Sequence, residues 1–246
     1  RAVLIDAAKR SDIALAFEGY STGTAVTGRR GYSMWRLDVT GSQGHSSTIF
    51  GEARGSGAIF EAARILSAFH EELREPYLTF NPGVILGGTD VNFDAQTISG
   101  TVSGRTTVVP RSLVVLGDMR FLSGEQLERA RAKMRTIVAK SLPKTSATIS
   151  FTDGMPPMAP TEGNLALLST LDGVSRDLGT GPITAHDPSK RGAADVSFVS
   201  TLVSALDGLG ALGGNEHALG EWVNLDEQPA LTKRAALLMY RLMWAK

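Results

Sequence analysis

The pattern of hydrophobic and polar positions in the middle of the chain switches repeatedly between strand-like and helix-like spacing. Alternating apolar positions predict strands, whereas apolar residues that recur every three to four positions predict amphipathic helices. The predicted elements are, in order, a strand at Tyr32–Val39, a helix at about 57–74, a strand at about 78–86, a strand at Ser112–Phe121, a helix that Ser123 opens and a strand at Ala147–Phe151. This order predicts a βαββαβ domain, an antiparallel sheet backed by two helices, at residues 31–154.

The two helices of this domain carry the apolar faces that cover the sheet. The first has apolar residues and one histidine at helical spacing, namely Ile59, Ala62, Ala63, Leu66, Phe69 and His70. We therefore expect His70 to be a core or boundary residue. The second helix begins with Ser123-Gly124-Glu125-Gln126, which fits a capping box. Its apolar stripe comprises Leu127, Ala130, Met134, Ile137 and Val138.

The segments on either side, residues 1–30 and 155–246, are each too short to fold well alone. Together they predict one α/β domain that the βαββαβ domain interrupts. Asp12–Glu18 is an apolar run that ends in a carboxylate, as in a buried strand. Three further segments are predicted to be helical, namely Asn164–Leu178, Val196–Leu206 and Pro229–Trp244.

Composition narrows the class of protein. The 246 residues are 42% hydrophobic, with 25 basic and 25 acidic side chains and no cysteine. A balanced charge argues against a nucleic-acid-binding protein, which usually has a basic excess. Without cysteine, any metal site must use His, Asp and Glu ligands.

No apolar run approaches the roughly 18 residues of a transmembrane helix, so we expect no membrane span. The first residues, Arg1–Asp6, are too short an apolar stretch for a signal peptide. The chain does not begin with Met, and we expect its N-terminal part to have been removed or to be a separate piece. The cellular compartment is left open.

Two histidines lie in glycine-rich segments that present a side chain easily. His217 lies within Gly213–Val223 and precedes Glu221 by four residues, and His45 lies within Gly41–Ser47 directly after a predicted strand. Considered alone, each histidine is either a functional-site residue or a loop residue without a function. Glu18 is also ambiguous, because carboxylates at strand ends usually face solvent.

Three other features have simpler interpretations. His186 is predicted to be a loop residue. Gly208–Gly213 contains G-x-G-x-x-G, but a dinucleotide site needs a preceding strand and a following helix, and neither is predicted there. Arg191–Asp195 is predicted to open a helix, with Asp195 as either a functional residue or a cap.

In chain order, these features resemble the M20 metallopeptidase family, the group of carboxypeptidase G2, aminoacylase and succinyl-diaminopimelate desuccinylase. The resemblance spans nearly all of the chain and rests on collinear motifs rather than on any one of them. The matching segments are Leu15–Glu18, the V-x-G-x-x-x-H segment at Val39–Ser46, Gly87-Gly88, Val108–Pro110, Asp118–Arg120, Gly192…Asp195 and His217…Glu221.

The resemblance implies a site with two zinc ions, in which metals activate a water and polarise an amide carbonyl. Glu18 would bind one zinc and His217 the other. His45 would stabilise the oxyanion in the other subunit of a dimer formed through residues 31–154. Arg120 would bind a substrate carboxylate, with Thr107 and Gly192 as further substrate contacts.

The chain also departs from the family pattern. The H-x-D segment, the bridging Asp and the Glu-Glu pair belong upstream of the Glu18 strand, and none is present. We therefore expect this polypeptide alone to bind zinc poorly and to hydrolyse nothing. Thr107 replaces the Asn that precedes V-P in the family, which puts one substrate contact in doubt. The stretch between Gly88 and Pro110 is about a dozen residues longer than in compact members.

The resemblance leaves several functions open. The first hypothesis is a di-zinc exopeptidase of the glutamate-carboxypeptidase type that acts on small peptides or N-substituted amino acids. The second is an N-acyl-amino-acid deacylase or desuccinylase of the same family. The third is a non-catalytic dimerisation or binding module. We expect no nicotinamide cofactor.

Overall fold

The computed structural model describes residues 1–19 and 21–244. These residues form two compact units, which we call the insert unit (residues 32–154) and the flanking unit (residues 1–31 and 155–246). None of the helices in the described ranges has the length and apolar character needed to cross a bilayer.

The elements are numbered in chain order. The helices are α1 Ala2–Ala8, α2 Gly57–Glu72, α3 Gly124–Val138, α4 Glu162–Asp177 and α5 Gln228–Trp244. The strands are β1 Ile13–Leu15, β2 Thr24–Ala25, β3 Gly31–Gly41, β4 Thr79–Gly88, β5 Asp90–Asp94, β6 Ser99–Ser103, β7 Ser112–Phe121, β8 Thr145–Asp153, β9 Thr184–Ala185, β10 Ser204–Leu206, β11 Gly213–Gly214 and β12 Trp222–Val223.

The insert unit has the predicted βαββαβ order, which confirms the fold class. Its four-stranded sheet has the order β4-β7-β3-β8, and the β4–β7 and β3–β8 pairs are antiparallel. Every second residue of β3 is buried, and Trp35 packs edge-on against Phe69 of α2 with ring centroids 5.9 Å apart. One face of the sheet therefore forms the core with α2 and α3, and the other face is left open.

The capping signal of α3 is confirmed with one difference. The Ser123 hydroxyl oxygen accepts a hydrogen bond from the Gln126 N–H at 3.1 Å, as an N-cap does. The Gln126 side chain accepts from the Leu122 N–H at 2.7 Å. It thus satisfies the donor one residue before the cap rather than that of Ser123 itself.

The long stretch after Gly88 forms an element that the sequence pattern did not predict. Strands β5 and β6 make an antiparallel hairpin in which Asp90 pairs with Ser103 and Asp94 with Ser99. All of β6 is exposed. A strand without a buried face has no need of alternating apolar positions, so its sequence resembles a loop.

The buried stripe of α2 differs from the predicted one. Ile59 and His70 are exposed, so the prediction that His70 is a core or boundary residue was wrong. The buried stripe instead includes Glu61, whose carboxylate forms an ion pair with Arg64 at 2.6 Å and accepts from the Leu142 N–H at 3.0 Å. Because a paired carboxylate occupies a core position, the stripe could not be located by counting apolar residues.

Glu61 also makes the stability of the insert unit depend on pH. Burial raises the pKa of Glu61, but hydrogen bonds from Arg64 and from the Leu142 N–H outweigh burial, and the pKa lies below its ordinary value. A carboxyl whose pKa is lowered by folding stabilises the fold above its unfolded-state pKa, and this stabilisation is lost as the pH falls through the folded-state pKa.

We therefore expect Glu61→Gln to lower the free energy of unfolding at neutral pH, and to flatten its decline below about pH 4.3, the ordinary pKa of glutamate. Urea unfolding between pH 3 and 7 measures both effects. Glu71→Gln, at an exposed position of the same helix, is the matched control. Parallel pH profiles for Glu61→Gln and the parent protein would contradict the expectation.

Two elements of the flanking unit differ from the predicted ones. Val196–Leu206 is not a helix: the 3₁₀ turn Asp195–Phe198 overlaps its start, and β10, which pairs in parallel with β1, forms its end. A short apolar run is compatible with a buried helix or a buried strand, and here strand pairing decided. The predicted strand Asp12–Glu18 shortens to the half-buried β1. Helices α4 and α5 form where the apolar spacing predicted them.

Candidate functional site

A pocket of about 540 Å³ in the flanking unit brings Glu18 and His217 together. The two residues are almost 200 positions apart in the chain, and both side chains are exposed. The pocket also contains Arg29, Arg191 and Asp195. Four chain segments therefore contribute to one concave surface, namely those that contain Glu18, Arg29, Arg191–Asp195 and His217.

Glu18 is held by backbone contacts just beyond the end of β1. The Gly210 N–H donates to the Glu18 carbonyl oxygen at 2.9 Å, and the Leu209 N–H donates to the Ala16 carbonyl oxygen at 3.3 Å. A Cβ at Gly210 would clash with the Phe17 carbonyl oxygen. Glycine at 210 is thus required for the His217 segment to pass close to the Glu18 segment.

His217 lies in the loop of a small hairpin formed by β11 and β12. Its φ is +64°, and that of Asn215 is +58°, which is the left-handed region that non-glycine residues adopt infrequently. Strand pairing between Gly214 and Trp222 closes this loop. Backbone conformations of this kind often occur at functional sites, where the surrounding structure enforces them.

Glu216 is a pocket residue that the sequence argument missed. One of its carboxylate oxygens lies 3.0 Å from the point that a Cβ of Gly19 would occupy, so this carboxylate lies beside the Glu18 segment. Glu221, the family's last motif position, lines the same pocket. Only the adjacency of Glu216 to His217 in the sequence hinted at its location.

A buried ion pair stabilises the wall of the pocket. The Arg29 guanidinium contacts the Asp207 carboxylate, and these side chains are 7% and 0% exposed. Arg29 also donates to the Gly192 carbonyl oxygen at 2.9 Å, and Asp207 accepts from the Gly208 N–H. Arg29 therefore connects the Gly192 segment to the segment that leads to His217. Gly192 is exposed.

Arg191 fixes the segment that follows Glu18. It donates to the Gly19 carbonyl oxygen at 3.1 Å and to the Ser21 hydroxyl at 2.7 Å. Asp195 begins the 3₁₀ turn at Asp195–Phe198 rather than the predicted longer helix. The turn still places its carboxylate at the pocket.

The residues present do not by themselves fit a metal ion. Protein zinc sites use three or four ligands. Across residues 1–19 and 21–244, no three His, Asp or Glu side chains are close enough to bind one ion together. Glu18 and His217 line one pocket without forming a complete ligand set.

His45 lies in the insert unit, in an exposed turn beyond β3. Its Nδ1 accepts a hydrogen bond from the Ser47 backbone N–H at 3.2 Å and contacts the Ser47 hydroxyl at 2.8 Å. A backbone N–H can only donate, so Nδ1 of the neutral ring has no proton and Nε2 carries it. The ring therefore presents an N–H donor on its outer nitrogen.

The structure brings Thr107 next to His45. The Ser46 N–H donates to the Thr107 carbonyl oxygen at 2.9 Å, and the Val109 N–H donates to the Gly44 carbonyl oxygen at 2.8 Å. Two segments that are some sixty residues apart in the chain thus form one exposed surface.

Arg120 lies at the other end of the sheet. His45 pairs with Val108, just before β7 begins, whereas Arg120 is the ninth residue of β7. The span from Ser112 to Arg120 is about 27 Å at roughly 3.4 Å per residue. A small substrate therefore cannot contact His45 and Arg120 of the same insert unit.

Of the remaining features, His186 lies outside the pocket lining, whereas Ala211 and Gly213 of the G-x-G-x-x-G segment are part of it. His186 is a half-buried loop residue whose Nδ1 is 3.2 Å from the Thr24 hydroxyl, and burial, with nearby Arg191, lowers its pKa. The G-x-G-x-x-G segment does follow a strand, β10, contrary to the prediction, but it leads into β11 rather than a helix. It therefore lacks the helix N-terminus that a pyrophosphate requires.

Comparison with known proteins agrees with this arrangement. Residues 27–146 match the peptidase dimerisation domain of the M20 family. Residues 27–146 therefore form a peptidase dimerisation domain of the M20 type. A search of curated protein sequences gave no match.

The fold of the chain is also similar to solved peptidase structures. Aminopeptidase PepT from Bacillus cereus is 15% identical with a TM-score of 0.69, and the match covers 94% of this chain and 58% of that one. A tripeptidase from Staphylococcus aureus is 17% identical with a TM-score of 0.65, covering 93% and 56%. YxeP from Bacillus subtilis, described as a dinuclear metal-binding M20 peptidase, is 11% identical with a TM-score of 0.60, covering 93% and 56%. This chain therefore spans somewhat more than half the length of these structures.

Proposed function

We propose that the protein is a zinc-dependent amide-bond hydrolase, with two zinc ions per complete active site. The observation that carries the proposal is the convergence of Glu18 and His217 on one pocket of the flanking unit. A carboxylate and an imidazole are both zinc ligands, and YxeP is described as a dinuclear metal-binding peptidase. Glu18 and His217 do not complete a two-metal site by themselves, so the proposal requires further ligands and a general base.

The proposed roles follow from where each residue lies. Glu18 and His217 each bind one of the two metal ions. Thr107 and Gly192 are proposed substrate contacts, although Thr107 presents a hydroxyl where the family has an amide. Arg120 binds a substrate carboxylate, for which a guanidinium offers paired donors.

His45 stabilises the oxyanion in the active site of the other subunit. The tautomer fixed by the Ser47 N–H supplies the donor that this role needs. The distance between the two ends of β7 supports a role in trans, because His45 and Arg120 of one insert unit cannot serve the same substrate. We propose that the insert unit forms a homodimer, as its dimerisation-domain match suggests.

The favoured substrates are small peptides or N-substituted amino acids, cleaved by a glutamate-carboxypeptidase-like exopeptidase. The close alternative is an N-acyl-amino-acid deacylase or desuccinylase. Rates of the full protein on matched dipeptides and N-acyl amino acids distinguish the two, and a preference for the acyl compounds would exclude the peptidase assignment.

Chelation tests the requirement for metal. We expect a chelator to abolish hydrolysis by the full protein and stoichiometric zinc to restore it. Metal content measured before and after dialysis is the second readout. A non-catalytic dimerisation or binding module predicts no bound metal and no activity to lose, and activity that survives complete metal removal would overturn the proposal.

A further inference from the structure

His186 is a half-buried histidine to which the proposed function gives no role. It follows β9 directly, and its backbone N–H donates to the Ala25 carbonyl oxygen at 2.8 Å, so it extends the pairing of β9 with β2. Strand β2 begins six residues after Glu18. His186 therefore lies beside the stretch of chain that follows one of the proposed metal ligands.

The chain turns tightly just before β2. Thr24 closes this turn with two donors, because its backbone N–H and its hydroxyl each donate to the Ser21 carbonyl oxygen at 3.1 Å. Gly23 has φ +70°, a left-handed conformation that glycine adopts without strain. We call residues 21–24 the Ser21 turn.

The Thr24 hydroxyl also contacts the imidazole of His186, with its oxygen 3.2 Å from Nδ1. A hydroxyl has a single proton, and Thr24 donates it to the Ser21 carbonyl oxygen. Both contacts are satisfied together only when Nδ1 carries a proton and donates it to the Thr24 oxygen. The result is a hydrogen-bond relay that runs from the imidazole N–H to the hydroxyl and from the hydroxyl to the carbonyl oxygen.

The surroundings of His186 favour the neutral imidazole. Burial lowers its pKa, Asp187 raises it, and three cations lower it further, namely Arg191, Lys190 and Arg29. A neutral ring has one proton for its two nitrogens. The contact with Thr24 therefore selects the tautomer, and among the described residues Nε2 makes no hydrogen bond that would compete for this proton.

The segment that carries His186 also holds the turn from its other side. Arg191 donates to the Gly19 carbonyl oxygen at 3.1 Å and to the Ser21 hydroxyl at 2.7 Å. Gly19 follows Glu18 directly in the chain. Two side chains of one segment thus fix the backbone beside Glu18, Arg191 by direct contact and His186 through the Thr24 hydroxyl.

We propose that His186 is a positioning residue for Glu18, which acts by donating from Nδ1 to Thr24 and so fixing the Ser21 turn. His186 lies outside the pocket lining, so it acts through the turn and touches no substrate. The consequence for Glu18 rests on the proposed function, whereas the relay itself does not. The two parts can therefore be tested separately.

Nitrogen-15 spectroscopy of the histidine side chains of the 246-residue chain tests the relay without catalysis. We expect the Nδ1–H tautomer of His186 at neutral pH, and a smaller population of it in Thr24→Val. We also expect His186→Ala to speed hydrogen exchange of the Thr24 amide about 5-fold, which corresponds to the loss of one hydrogen bond. Thr170→Val is the control, because the Thr170 hydroxyl bonds a carbonyl oxygen within α4, and it should change neither result. An Nε2–H tautomer in the parent protein would overturn the proposal.

Kinetics of the full protein test the consequence for Glu18. His186→Ala and Thr24→Val should each lower kcat/KM about 10-fold, as loss of an outer partner of a metal ligand does. The double variant should be no worse than either, because both changes break one relay. His186→Asn should restore activity, since its amide N–H can donate where Nδ1–H does. His70→Ala, at an exposed histidine of the insert unit, should leave activity unchanged.

Two kinetic results would overturn the positioning role of His186. One is a pair of losses that multiply in the double variant, and the other is a His186→Asn variant as impaired as His186→Ala. The expected tautomer and exchange rates in a full protein whose activity survives metal removal would retain the relay and reject the zinc hydrolase. Chelator-sensitive hydrolysis that is undiminished in His186→Ala would retain the hydrolase and reject the role of His186.

Discussion

Replacing His45 by alanine is expected to lower the turnover of the complete enzyme by about 100- to 1000-fold, the usual loss when one oxyanion donor is removed. The ring is held by Ser47 so that its outer nitrogen carries the proton, which is the state that an oxyanion requires. The measurement is kcat and KM of the full protein. A matched control is Gln43→Ala, an exposed change in the same loop that should leave kcat unchanged.

Mixing variants tests whether His45 acts in the other subunit. His45→Ala and Glu18→Ala proteins are each expected to be nearly inactive. Exchange of subunits then creates dimers in which one site has an intact Glu18 and receives an intact His45. For random mixing this restores about a quarter of wild-type activity. Mixtures as inactive as the separate variants would place His45 in its own subunit's site or in none, and a loss below about 10-fold for His45→Ala would leave it a turn residue.

Replacing Asp207 by alanine is expected to lower the free energy of unfolding of the flanking unit by about 3–5 kcal/mol, the typical cost of removing one partner from a buried ion pair. Asp207 is fully buried and Arg29 nearly so. Among the described residues, the variant would leave the interior guanidinium with the Gly192 carbonyl oxygen as its remaining hydrogen-bond partner. The free N–H of Gly208 would add to the loss.

Urea unfolding, followed by far-ultraviolet circular dichroism, measures this loss. Asp6→Ala is the control, because Asp6 pairs with Arg10 at the surface with both side chains more than 70% exposed. Such exposed pairs contribute about 0–1 kcal/mol. A loss for Asp207→Ala no larger than for the control would mean that water reaches Arg29 in the variant. The pocket wall would then not depend on the pair.

Much of the fold followed from local patterns. Strand β7 has the bounds that its apolar run predicted, and Ser123 caps α3 as its spacing indicated. Both signals depend on neighbouring residues alone. The errors arose where a tertiary partner replaced the local rule. Glu61 is buried because Arg64 neutralises it, and Ser204–Leu206 is a strand because β1 pairs with it.

The candidate site shows the same division. The motif order singled out Glu18, His45 and His217, and the structure places Glu18 and His217 in one pocket. The sequence pattern did not predict Glu216 or the Arg29–Asp207 pair as part of the site, because no spacing rule connects residues from different segments. Their importance comes from burial and from contacts between residues distant in the chain.

The sequence by itself determined the order of elements, the family resemblance and the kinds of side chain available for chemistry, because periodicity, caps and motifs are properties of adjacent residues. Only the tertiary structure decided that Glu18 and His217 share a pocket and that His45 and Arg120 lie at opposite ends of β7. It also showed that the segment after Gly88 is a hairpin over the open face of the sheet. These are distances between residues far apart in the chain, and packing and strand pairing set them.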